Sequence, residues 1–526
     1  MSLRLREIPL HLEEDEQLLP AKIAALLDIS VQDILRWAIV RKGIDARRKP
    51  NVLRVYTIEF DYVDEAALLH RQHQNNCLTA VVAETVPDAV VLKTRPQVLV
   101  VGMGPAGLFA ALQLAEAGAR VTLLERGKSV AERVKDVGGF WAGAELDPES
   151  NIQFGEGGAG TFSDGKLTCR LNHPLMRKVL ETLVRFGAPE DILLQAKPHV
   201  GSDRLRKVLV NFRKSLIALG VDIRFSTKLS GFELQQGRVC AGLSGTQAQF
   251  NCDQLVLALG HSARDSYQML HDCGVAMESK PFAVGLRVEH PLELINRIQY
   301  ARESHPQLPA AEYNLAWNDP ETGRGVYSFC MCPGGLVVNA ASEPGALVVN
   351  GMSLFARNAE FSNSALVVAV RPDDFADRGP LAGIAFQRQW EQRAYQAGGG
   401  NWHAPAQPLL EYLQGRGGSL RSSCRPTVIH ADLTDCLPAF VTAGLRKALP
   451  QFNRRMRGFV GPEATLIGVE TRTSAPLRIL RDQAGESVSH PGLFPTGEGA
   501  GYAGGIMSAA VDGLKVATSI LQRYQQ

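Results

Sequence analysis

QVLVVGMGPAGLFAALQLAEAGARVTLLE, residues 97–125, decides how this chain is read. A β-branched run at 98–101 meets three glycines, Gly102, Gly104 and Gly107, and then a helical apolar pattern over 106–117. Gly118 and a second apolar run, 120–124, follow, and the run ends on Glu125. The spacing predicts strand, turn, helix, strand and acid, one β-α-β unit. In such a unit the first glycine allows the tight turn and the second admits a pyrophosphate to the backbone. The third lets helix and strand pack closely. The helix N-terminus then faces the phosphates, and a carboxylate at Glu125 can accept hydrogen bonds from an adenosine ribose. The expectation is a bound dinucleotide.

At the far end, LFPTGEGAGYAGGI over 493–506 repeats the device as a short strand, a glycine-rich turn and a helix over 507–521. A second helix N-terminus close to the first suits a flavin's ribityl chain and pyrimidine ring, and Glu498 after Gly497 stands where an acid would bind the ribityl hydroxyls. FAD is therefore expected rather than NAD. There is no second strand-linked GxGxxG and no Cys-x-x-Cys, which argues against a two-nucleotide disulfide reductase.

Around these motifs the chain divides. Residues 1–92 read as a small α/β domain, with strands at 3–8 and 52–62 and helical spacing over 17–27 and 31–40. Its RKGIDARRKP, with Arg47 and Arg48 in a basic turn, is read chiefly as a solvated loop, with RNA or a phosphate-bearing partner as the alternative. Segments 97–265 and 466–526 carry the nucleotide motifs, and 266–465, with apolar runs at 335–340, 347–350 and 365–370, is the expected substrate domain.

Composition bounds the rest. Lys+Arg 56 against Asp+Glu 54 leaves a formal charge of +2, so no overall field favours nucleic acid or a membrane surface. The 526 residues hold 50 glycines, above the usual ~7%, and the excess lies in clusters, as expected where backbone approaches a ligand. Nine cysteines, odd in number and irregular in spacing, predict free thiols and a cytoplasmic setting. The uncharged stretch 98–115 is broken by glycines and Pro105, so no membrane span is expected, and the scattered histidines predict no metal.

Seven stretches together resemble one family: IDARRK at 44–49, VVGMGPAG at 100–107, QFGEGGAGTFSDGKL at 153–167, CMCPGG at 330–335, NGMS at 350–353, ETRTSAPLRI at 470–479 and GEGAGYAGGIMSAAVDG at 497–513. The likeness is to the uncharacterised FAD-dependent dehydrogenases, often called NAD(FAD)-utilising dehydrogenases. These belong to a one-Rossmann flavoprotein class with the fumarate reductase flavoproteins. Ala475 departs from the pattern, which has Ser there. The resemblance implies an α/β fold: a Rossmann-type (ββα) FAD-binding domain, an inserted mixed α+β substrate domain and the small N-terminal α/β domain.

Carried over to this chain, it places Gly102, Gly104, Pro105, Ala106 and Gly107 at the pyrophosphate and Glu125 and Arg126 at the ribose, with Arg133 reaching a phosphate. Gly157, Gly158, Thr161, Ser163 and Gly165 would run beside the pyrophosphate and ring, with Thr161 and Ser163 as donors. Leu229 would present its backbone to adenine, Gly260 would close a strand against the cofactor, and Gly497, Glu498, Gly505 and Ile506 would meet the ribityl chain and ring. The catalytic candidates are Lys166, near the ring's N1–C2 side, and Cys332, which with Cys330 offers a thiol, though buried inert cysteine is the alternative. Arg287, Glu289, His290, Glu470 and Arg472 are candidates for an anionic substrate or for structural ion pairs.

The expected function is hydride transfer between flavin N5 and an organic small molecule, with NAD(P)H as a transient reductant. A flavin monooxygenase, an FAD-dependent RNA-modifying enzyme and a non-enzymatic redox sensor or scaffold are the rivals.

Overall fold

Five short parallel strands form the sheet that carries the nucleotide motifs. A computed structural model describes residues 2–81, 92–169, 171–245 and 248–525. In it these strands run in the order Leu493–Pro495, Gln254–Leu257, Gln97–Val101, Arg120–Leu124, Asp222–Arg224. The strand at 97–101 is central because after Gln97 it is apolar throughout, 98–101, and can be covered on both faces. On one face lie the helices Pro105–Glu116 and Ile506–Gln522, which cross at contact distance. Gly513 makes that crossing possible, since a Cβ there would stand 2.1 Å from the Ala106 carbonyl oxygen. Segments from opposite ends of the chain thus share one core with Phe109, Phe212 and Leu514.

The second body is a seven-stranded sheet in the order Ala316–Asn318, Gly325–Cys332, Phe361–Val370, Phe282–Pro291, Thr465–Glu470, Ala404–Pro408, Val428–His430. Only its last pair is parallel. The apolar run expected at 365–370 lies in this sheet, whereas those at 335–340 and 347–350 form a separate ribbon, Leu336–Asn339 with Val349–Met352. Phe282–Pro291 pairs with Thr465–Glu470, so the domain boundary expected at 466 falls inside a strand of this sheet. The chain leaves the second body after Glu470. The ribbon Met277–Ser279 with Leu477–Ile479 joins the bodies, one strand from each crossing.

Residues 2–81 form a split β-α-β arrangement, with four antiparallel strands ordered Ile34–Asp45, Leu53–Tyr62, Leu3–His11, Leu78–Ala80 and the helices Leu19–Leu27 and Glu65–Arg71. The helix expected over 31–40 is instead the strand Ile34–Asp45. Ile34, Ile39, Val40 and Ile44 favour a strand, and pairing along Leu53–Tyr62 overrides the 3.6-residue spacing. The domain end expected at 92 adjoins 82–91, which lie outside the described residues. Two of the five basic residues in this turn are paired, Arg47 with Asp45 at 2.6 Å and Lys42 with Glu16 at 3.1 Å, and Lys49 Nζ donates to the Ile298 carbonyl at 2.5 Å. Backbone bonds from Lys42 N to Leu194 O and from Ala196 N to Lys42 O, both 2.7 Å, tie this domain to the nucleotide-motif body.

Candidate active site

Four glycine segments converge where the two helices begin. Gly102 has φ +103°, and its Cβ would stand 2.2 Å from Ala258 O, while that of Gly107 would stand 1.9 Å from Gly102 O. Gly497 would meet the Ala106 Cβ at 2.7 Å and Gly499 the Gly260 oxygen at 2.6 Å. These glycines close the frame. A different set lines open space: Gly260, Gly504 and Gly505 have nothing within 4 Å of a Cβ, and Gly104 meets only the Gly158 Cα at 4.0 Å. The turn at 158–162 completes the rim, since Gly157 N donates to Met103 O at 2.9 Å and a Cβ at Gly160 would touch Ile506 at 3.2 Å.

The charge pattern of this cradle suits an anion. Gly104 and Gly505 cap the two helices without side chains, and neither helix has an acid in its first turn. The Gly505 N–H already serves Glu498, and the remaining first-turn N–H groups stand at the positive ends of two helix dipoles. The residues present fit a pyrophosphate and a polyhydroxyl chain lying across them.

Glu125 is buried and already organises the frame: it accepts from Met103 N at 2.8 Å, Gly127 N at 2.9 Å and Gly155 N at 3.0 Å. Arg126 stacks over Phe154 at 4.0 Å and pairs with Glu149 and Asp265, beside a cleft of about 370 Å³ that Lys128, Ser226, Lys228 and Ser230 also line. Leu229 is buried in the core next to Leu99.

Three expected contacts turn inward. Arg133 does not reach outward to a phosphate. Fully buried, it donates to the carbonyls of Asn151, Ile152, Gly155, Glu156 and Gly158, so its charge stiffens the loop from within. The Thr161 hydroxyl donates to Glu156 O at 3.0 Å and that of Ser163 to Gly160 O at 2.8 Å. What the loop offers outward is backbone. Gly165, at φ +67°, lies against Gly201, where a Cβ would stand 2.9 Å from the amide nitrogen.

Past Gly165 lies a set of paired titratable groups. Lys166 Nζ lies 3.6 Å from Glu312, which Arg357 also meets at 3.0 Å, and Arg357 Nε donates to the buried Asp164 at 2.9 Å. Lys166 and Glu498 both act electrostatically on Cys330, and Lys280 acts on Glu498. Residues 166, 280, 330 and 498 are thus linked electrostatically, and Glu498 meets the cradle through the Gly505 backbone. Burial pushes the Glu498 carboxyl up to about 7, against the backbone donor of Gly505 and the charge of Lys280.

Behind this set Arg287 is fully buried, paired with Glu470 at 2.6 Å and donating to Asn363 and Asn350 at 2.6 and 3.0 Å. Arg472 and Arg264 share the buried Glu391, each at 2.7 Å, and Glu289 accepts from Ser422. His290 is buried and bonded to Phe459 O at 2.7 Å. Four of these five candidates for an anionic substrate are internally satisfied, while His290 keeps its Nδ1 buried without a hydrogen-bond partner. Cys332, the catalytic candidate, is fully buried, whereas Cys330, offered with it as a thiol, is partly exposed. Lys280 carried no sequence signal, because nothing local marks a lysine whose neighbours come from residues 474 and 475.

Among the described residues there is no metal-ligand cluster, all nine cysteines are free, and no helix is long and apolar enough to cross a membrane.

A family model described as FAD dependent oxidoreductase matches residues 97–192, one described as FAD-dependent protein, C-terminal domain-like, matches 281–473, and a domain of unknown function matches 2–61. An uncharacterised protein of Clostridium beijerinckii is 43% identical over all of this chain and 99% of its own length. Among solved structures, glycine oxidase from Bacillus cereus is 12% identical, with 82% of this chain and 96% of that one covered and a TM-score of 0.34. Glycerol-3-phosphate dehydrogenase from Bacillus halodurans, complexed with FAD, is 11% identical over 82% and 66%, with a TM-score of 0.35.

Proposed function

Because the chain belongs to the FAD-dependent oxidoreductase family, we propose that it is a dehydrogenase or reductase that moves a hydride between its flavin and a small organic molecule. FAD, when bound, supplies at N5 the acceptor or donor of that hydride. The protein's own residues bind, orient and tune. Gly104, Pro105, Ala106 and Gly107, with Gly158, would hold the pyrophosphate through backbone, and Glu125 and Arg126 the ribose end. Gly260, Gly497, Glu498, Gly505 and Ile506 would hold the ribityl chain and ring.

The observation that carries this reading is the meeting of open glycines at two helix N-termini, where Glu498 is bonded to the Gly505 backbone and feels the charge of Lys280, and where Lys166 acts on the neighbouring Cys330. Lys166 and Lys280 favour negative charge developing there, and the Glu498 carboxyl, near 7, can hold or release a proton at neutral pH. On the loop QFGEGGAGTFSDGKL we also place the chain with the fumarate reductase-type flavoproteins, and on its nine free thiols in the cytoplasm.

The test is the visible spectrum of the purified protein, followed by anaerobic addition of NADH and then NADPH. The expected outcome is a flavin spectrum that bleaches with one of them. A flavin that neither donor reduces overturns the pyridine-nucleotide part, and a protein that cannot be loaded with FAD overturns the reading of the cradle.

A further inference from the structure

The cleft beside Arg126 lies where the adenosine end of a dinucleotide is expected. Arg126, Gly127 and Lys128, just past the strand Arg120–Leu124, line it together with Ser226, Lys228 and Ser230. Lys228 and Ser230 flank Leu229, the residue expected to meet adenine. Backbone bonds from Ser226 N to Gly127 O at 3.0 Å and from Thr227 N to Glu125 O at 2.9 Å tie the two segments together. At about 370 Å³ the cleft is of ligand size.

By position Arg126 would receive a phosphate carried on the ribose, as an arginine beside this acid does in dinucleotide folds. Its donors are already occupied. Nε and Nη2 donate to Glu149 at 2.7 and 3.0 Å, and Nη1 and Nη2 to Asp265 at 2.8 and 3.0 Å. Two carboxylates thus hold the edges with which a guanidinium grips a phosphate, and Phe154 covers one face. Lys228 joins the same two carboxylates at 3.2 Å from each, and Lys128 stands 3.0 Å from Asp136 and from Asp147. Three cations therefore meet four carboxylates, which leaves one negative charge in excess. Burial would raise the Asp265 carboxyl, but the bonds from Arg126 and Lys228 hold it below its ordinary value, so it is charged at neutral pH.

We propose that Glu149 and Asp265, locked in place by Arg126 and Lys228, make this cleft accept an adenosine whose ribose hydroxyls are free and reject one that carries a phosphate on the ribose. A hydroxyl can donate to a carboxylate, whereas a phosphate dianion has no proton to give and meets like charge. Glu125 does not supply this selection, because its oxygens already accept from Met103 N, Gly127 N and Gly155 N. The inference rests on the reading of the cradle as an FAD site and goes beyond it, since it states which other adenine nucleotides compete there. Those with a bare ribose do, and those with a ribose phosphate do not.

The test dilutes FAD-loaded protein until part of its flavin is free, adds ADP-ribose or 2′-phospho-ADP-ribose, and follows the fluorescence of released flavin. Both compounds carry the pyrophosphate and differ only at the ribose of the adenosine. At low ionic strength ADP-ribose should release FAD at concentrations at least about tenfold lower than its 2′-phosphate, and the gap should narrow in about 1 M salt, where charges are screened within roughly 3 Å. Glu149→Gln with Asp265→Asn keeps the shape and removes both charges. Arg126 and Lys228 then become available, and the phosphorylated compound should bind at least as tightly as the plain one. A purely structural role for the two acids would weaken both compounds in proportion and leave their ratio unchanged. Equal release by the two in the wild-type protein, release by neither, or an unchanged ratio in the double variant overturns the proposal. If the double variant does not fold, the wild-type comparison and its salt dependence decide. Calorimetry of the two compounds on flavin-free protein repeats the comparison, so failure to load FAD overturns the reading of the cradle and leaves the selection to be judged on its own.

Discussion

A buried guanidinium that touches no solvent binds its carboxylate partner differently from a surface pair. Arg287 and Glu470 are both desolvated, and the arginine is held charged by Glu470 first and by the nearby thiols next, once burial is overcome. Replacing Arg287 with Met leaves Glu470 as an uncompensated buried charge, so about 3–5 kcal/mol of stability should be lost in urea unfolding. The double change Arg287→Met with Glu470→Leu should recover most of it.

Glu498 gives a second measurement at this scale. Burial holds a proton on the folded-state carboxyl up to about pH 7, whereas the unfolded chain releases it near 4.5. Between those values the folded protein binds more protons than the unfolded one, so stability falls as pH rises through the window. In flavin-free protein the melting temperature should therefore drop from pH 5 to pH 8 by more in the wild type than in Glu498→Gln. Equal drops would show that this carboxyl ionises normally.

The elements were legible wherever period and punctuation agreed. The unit at 97–125 and the terminal helix folded as their spacing requires, because glycine turns and apolar runs leave those backbones few alternatives. The strand Ile34–Asp45 was not legible, since three-to-four spacing and β-branching give opposite signals there and the deciding partner lies at 53–62. Within the site, backbone roles followed from glycine positions, but side-chain roles did not. Arg133, Thr161 and Ser163 have the right chemistry for a phosphate, and only the loop's path shows that they serve its own carbonyls. Cys330 and Cys332 alternate like any strand pair until a bulge after Phe329 sets them apart. The helix crossing supplies its own test. Gly513→Ala drives a methyl into Ala106 O, and Gly107→Ala does the same to Gly102 O. Each should cost about 3 kcal/mol and lower the flavin content of the purified protein.

Across the whole molecule, the cradle belongs to no single stretch of chain. Its rim comes from 102–107, 157–162, 260 and 497–506, and the groups that face it come from both large bodies. A ligand held by all of them binds only the assembled state, so FAD at one hundred times its dissociation constant should stabilise the fold by about 2.7 kcal/mol. Thermal unfolding followed separately by flavin fluorescence and by far-ultraviolet circular dichroism should show cofactor release and loss of helix together.

The helix Ile506–Gln522 packs against Pro105–Glu116, made far earlier in the same chain. A ribosome must therefore translate past this late helix before the binding face exists. Newly made chains pass through a colourless interval with the helix 105–116 half-covered, and yellow colour appears only once the late helix has emerged. A stalled chain ending before 493 should emerge folded in part and permanently unable to take up its prosthetic group.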